Sequence, residues 1–82
     1  MKISADDLRS LQEAEPGSEL VVYEGKVAVR PTADLQAGKY PGALTVVSRA
    51  DLLAEMRDQN LSEKDLDDLA GRFNTAISNR GG

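Results

Sequence analysis

Leu20-Val21-Val22-Tyr23-Glu24-Gly25-Lys26-Val27-Ala28-Val29-Arg30 is the stretch on which the fold turns. Two β-rich runs flank a two-residue turn that contains a glycine, which predicts a hairpin. Pairing across that turn puts Leu20, Val22, Val27 and Val29 on one face, the core face. Val21, Tyr23, Lys26, Ala28 and Arg30 fall on the other. This second face is mixed. Either it is an apolar island around Val21 and Tyr23, open to a partner, or it packs under the first helix and becomes core.

Outward from the hairpin, one pattern recurs three times: an apolar residue, Ser, two residues, Asp, Leu. It stands at Ile3-Ser4-Ala5-Asp6-Asp7-Leu8, at Val47-Ser48-Arg49-Ala50-Asp51-Leu52 and at Leu61-Ser62-Glu63-Lys64-Asp65-Leu66. Each predicts a helix start. The Ser hydroxyl accepts from a free backbone N–H, the Asp three residues on reaches back, and the apolar pair forms a hydrophobic staple. The flanks differ and the spacing is irregular, so these are three caps rather than a sequence repeat.

The first helix is expected from about Ala5 to Ala14, with Leu8 and Leu11 inward and Pro16-Gly17 ending it. Pro31 stops the hairpin. Residues 32–42 are turn-rich, with one helical turn at Ala33 to Ala37 closed by Gly38. Ala43 to Val47 predicts a short strand running into the second helix, Arg49 to Gln59, whose apolar stripe is Leu52, Leu53 and Met56. Asn60 supplies a turn. In the last helix Leu66, Leu69, Ala70, Phe73, Ala76 and Ile77 keep helical spacing without a break. The order α-β-β-β-α-α predicts a single small α+β domain: a three-stranded, antiparallel sheet with about three helices.

Composition excludes much chemistry. The 82 residues contain no Cys and no His. Disulfides, thiolate chemistry, the commonest metal ligand and the commonest general base are therefore all missing. Three serines are committed as caps, and no Ser-x-x-Lys pair stands in a nucleophile-like context. No glycine-rich strand-to-helix loop is placed to cradle a phosphate. Asp58, Glu63, Asp65, Asp67 and Asp68 cluster in sequence, but the central Gly and closing Glu of a calcium loop are missing. The expectation is no enzyme, no cofactor and no metal. The N-terminus has no apolar leader and no stretch suits a membrane span, which predicts a cytoplasmic protein without membrane contact.

Residues Leu61 to Arg80 resemble the helix-turn-helix of phage repressors, through Leu69-Ala70-Gly71 followed by Ile77-Ser78. That resemblance implies a DNA-binding regulator with Arg72, Asn74, Thr75, Ser78, Asn79 and Arg80 on the recognition helix. Charge opposes it. The formal net charge is -4, and Arg49 to Asp68 holds three basic against seven acidic residues. Like charge near phosphate weakens binding. The terminal Arg80-Gly81-Gly82 resembles the tail of ubiquitin-like modifiers and sulfur carriers, which implies a carrier activated at its C-terminus. A frayed helix end accounts for Gly81-Gly82 equally well.

The reading of the residues themselves is a non-catalytic protein-binding or regulatory domain. Its expected contacts are an acidic helical surface (Asp58, Glu63, Asp65, Asp67, Asp68) facing a basic partner, and an apolar anchor of Val21 and Tyr23. A homo-oligomer covering the hairpin face is a further expectation.

Overall fold

The computed structural model describes the backbone of residues 2–81 and the side chains of residues 2–78. Its order is α1 (Ala5–Glu13), β1 (Ser18–Tyr23), β2 (Lys26–Pro31), α2 (Thr32–Gln36), β3 (Leu44–Ser48), α3 (Arg49–Asp58), a 3-10 turn at Glu63–Asp65 and α4 (Leu66–Gly81). The three strands form one antiparallel sheet in the order β2-β1-β3. The protein is α+β, as the hydrophobic periods predict.

The hairpin closes as expected, with Leu20 opposite Val29, Val21 opposite Ala28 and Val22 opposite Val27. Glu24 and Gly25 both have positive φ, 51° and 77°. Positive φ at both central residues is the turn whose twist matches that of the flanking strands. A second irregularity lies in β3. Leu20 pairs with Val47 and Val21 with Thr45, so Val46 is an extra, bulged residue. The bulge turns both Val46 and Val47 toward the helices, where they pack on the core.

All three Ser-x-x-Asp sets begin helical structure, each by different bonds. At α1 the capping is reciprocal: Asp7 N–H donates to Ser4 Oγ at 3.2 Å, and Ser4 N–H donates to the Asp7 carboxylate at 2.9 Å. At α3 the bond is from Asp51 N–H to Ser48 Oγ, 3.1 Å. Ser48 is there still the last residue of β3, across from Glu19. At the third set Asp65 N–H reaches the Ser62 carbonyl at 2.9 Å, and Ser62 N–H reaches the Asp65 carboxylate at 2.8 Å. The result is one tight 3-10 turn before α4.

Two helix ends close in the same way. Leu61 N–H donates to Met56 O and Asn60 N–H to Arg57 O, with Asn60 at φ 55°. Lys39 N–H to Asp34 O and Gly38 N–H to Leu35 O, with Gly38 at φ 78°, repeat the arrangement at α2. This is the Schellman closure, which satisfies carbonyls the last turn leaves free.

The core lies between the sheet and the helices: Ile3, Leu8, Leu11, Leu20, Leu52, Leu66, Leu69 and Ala70, with Val27, Val29, Met56, Leu61, Phe73 and Ile77 packed around them. Leu53, expected on the α3 stripe, is half-buried outside this cluster; Leu52 and Met56 carry the contact.

The outer sheet face departs from both expectations. Because β2 and β3 flank β1, the chain from Thr32 to Ala43 must cross from one sheet edge to the other. It crosses on the outer face. The Tyr40 ring meets Tyr23 edge-on at 5.4 Å between centroids, and Arg30 lies over Tyr40 at 5.2 Å. Val21, on the same face of the central strand, is 0% exposed. The strap, and not α1, packs on this face at Tyr23 and Arg30, while Lys26 and Thr45 on the same face stay exposed.

Gly71 sits exposed in the middle of α4, and open space surrounds the position a Cβ would take. A mid-helix Gly is worse than Ala by about 1 kcal/mol. Gly71→Ala is therefore expected to raise the thermal midpoint by roughly 4–8 °C for a domain this size. A calorimetric scan with no rise would show that the methyl group disturbs the neighbouring N-terminal segment.

Candidate partner surface

The expected acidic surface divides into residues spent inside the fold and residues left outside it. Asp65 is spent on the turn, accepting from Ser62 N–H. Glu63 is also engaged. Arg9 of α1 donates through Nε to Glu63 at 2.9 Å and through Nη1 to Asp6 at 2.5 Å, tying α1 to the 3-10 turn ahead of α4. The hydrogen bond and charge of Glu63, followed by those of Asp6, raise the Arg9 guanidinium above its ordinary range. All three side chains face water, so the tie orients the helices more than it stabilises them.

Asp67 and Asp68 stand exposed in the first turn of α4 and make no ion pair among the described residues. The helix dipole favours negative charge at that end. Asp58, exposed at the end of α3, is 3.9 Å from Arg57, a loose contact. Among the described residues no three carboxylates converge to hold a metal ion. Asp67, Asp68 and Asp58 can pair with lysine or arginine from outside.

The apolar anchor fares differently. Val21 is fully buried and presents nothing to a partner. Tyr23 is half-buried and engaged with Tyr40.

The helix-turn-helix geometry is not formed, because α4 runs unbroken from Leu66 to Gly81, straight through Gly71. Asn74, placed by that reading on a recognition helix, is a structural clamp. Its Oδ1 accepts from Ile3 N–H at 2.7 Å and its Nδ2 donates to Ile3 O at 2.8 Å. Thr75 donates to Gly71 O within the helix, and Arg72 donates to Gln59. The side chains of Asn79 and Arg80 lie outside the described residues. So does Gly82, while Gly81 is the last helical residue.

Beside the clamp, Lys2, Ser4, Asp67, Gly71 and Asn74 line an open cleft of about 460 Å³ between the N-terminal segment and α4. The Ser4 hydroxyl there is held by Asp7. Among the described residues no helix is long and apolar enough to cross a membrane. Compared with protein-family models, curated proteins and solved structures, the chain matches none.

Proposed function

We propose that this chain is a non-catalytic protein-binding or regulatory domain whose contact surface is the acidic start of α4, Asp67 and Asp68, extended by Asp58. Small acidic inhibitors, immunity proteins, antitoxins and phage accessory factors share this profile as a class. One observation carries the reading: Glu63 and Asp65 have uses inside the fold, whereas Asp67 and Asp68 face outward with none among the described residues. Carboxylates so placed steer a basic partner and set its orientation.

The test compares the wild-type chain with the Asp67→Lys/Asp68→Lys variant as bait for proteins of its host cell. Reversal at a helix N-terminus costs about 0.3–1 kcal/mol each, so Asp67→Asn/Asp68→Asn serves as a milder companion. A basic protein is expected to bind wild type, to weaken as salt rises, and to associate about tenfold more slowly with the reversed variant. Equal retention of that protein by wild type and both variants rejects the acidic surface.

A further inference from the structure

We propose that the cleft between the N-terminal segment and α4 holds an extended segment of the protein partner, one carrying a base and an acid three residues apart. The proposal rests on the acidic start of α4 being the partner surface. It adds a shape and a second charge to that surface.

The cleft has two unlike ends. Ile3 is fixed beside Asn74 by its two backbone bonds, and Arg9 meets Glu63, so the chain from Lys2 onward runs antiparallel to α4. Lys2 therefore stands at the Asn74 end of the cleft and Asp67 at the other, about 10 Å along the helix. Both are exposed, and neither makes an ion pair among the described residues. Between them the walls are apolar or bare: Ile3, Ala5, Ala70 and Gly71. A polyproline-type chain puts residues three apart on one side, about 9 Å from each other. Its base then meets Asp67 and its acid meets Lys2. A wholly basic segment would bring like charge to Lys2, which selects against it.

Gly71 is an independent pointer to the same occupant. It lies one turn after Asp67, on the same face of α4. Glycine in a helix costs stability, yet a Cβ at this position would meet nothing within 4 Å. No turn or close contact among the described residues calls for a glycine here. A side chain at this position would stand in the cleft, so glycine leaves the helix backbone open to close approach by another chain.

Amide NMR titrations of the full chain with three blocked peptides test this. Two are bipolar, acetyl-Arg-Ala-Pro-Glu-amide and its reversed order acetyl-Glu-Ala-Pro-Arg-amide; the third is the dibasic acetyl-Arg-Ala-Pro-Arg-amide. With wild type, one bipolar peptide is expected to shift the amides of residues 2–5 and 67–74 and to bind about tenfold more tightly than the dibasic one. Lys2→Glu is expected to reverse that preference. Gly71→Leu, a helix-favouring change at an open position, is expected to keep the wild-type circular dichroism and to weaken the bipolar peptide at least about tenfold. The proposal is overturned if no bipolar peptide shifts the amides of residues 2–5 and 70–74, or if Gly71→Leu binds as wild type does. Shifts confined to Asp67 and Asp68, strongest with the dibasic peptide, overturn the cleft but leave the acidic surface standing. A bipolar peptide that fills the cleft equally well in Asp67→Asn overturns both.

Discussion

Leu20→Ala is expected to lower the thermal midpoint by on the order of 15 °C. Leu20 is 0% exposed, lies in the central strand between Val29 and Val47, and belongs to the cluster that includes Leu8 and Leu11. Removing a buried leucine costs about 3 kcal/mol, because the lost burial is joined by a cavity that neighbours fill only in part. Here those neighbours come from a strand on either side, which limits collapse. A domain of this length has roughly 4–12 kcal/mol in all, so one substitution removes a large share. Urea unfolding should show a lower midpoint with an unchanged slope. Leu44→Ala, at an exposed site, should cost less than about 0.5 kcal/mol. Equal midpoints for the two variants would mean that the sheet interior is not the dominant source of stability.

Asn74→Ala is expected to cost about 2 kcal/mol, a large effect for a polar residue outside the core. Its amide bonds both polar groups of the Ile3 backbone, and each such bond is worth about 1 kcal/mol net. Those bonds also hold the Ile3 side chain, 1% exposed, against the core. Without them the segment ahead of α1 loosens and part of that burial is lost. Asn74→Asp should behave in the same direction, because a carboxylate keeps the acceptor for Ile3 N–H but faces Ile3 O with no donor. Amide exchange at Ile3 should quicken markedly, with strand amides little changed. Unaltered exchange at Ile3 would show that side-chain burial alone anchors the segment.

Local rules carried the reading of this chain a long way. The hairpin register was legible because a two-residue turn leaves little freedom, and Glu24-Gly25 adopts the conformation that turn demands. The helix starts were legible because Ser and Asp three apart satisfy backbone groups within one turn. The continuity of α4 was visible in the unbroken spacing of Leu66, Leu69, Phe73 and Ile77. What escaped depends on contacts between distant residues. Tyr40 lies in a turn-rich segment without periodicity, and nothing near it signals that it will meet Tyr23 and Arg30. Asn74 and Ile3 are 71 positions apart, and an Asn on a helix face looks the same whether it clamps a backbone or meets solvent. Glu63 resembled its acidic neighbours until Arg9 arrived from α1. Of the acidic surface, therefore, the exposed part at Asp67 and Asp68 could be read from helix-end chemistry, whereas the internal use of Glu63 could not.

The strap across the outer face also ranks the steps by which the chain assembles. The β1–β2 hairpin closes over two residues, a small entropic cost. Pairing of β3 with β1 joins Leu20 to Val47, and the intervening chain has to pass across the outer face, where Tyr40 meets Tyr23. That larger loop places β3 docking after hairpin formation. α3 begins at the residue following β3, so its delivery to the core waits on the same event. Of the two strand pairings, the one that closes the longer loop is the one expected to form more slowly.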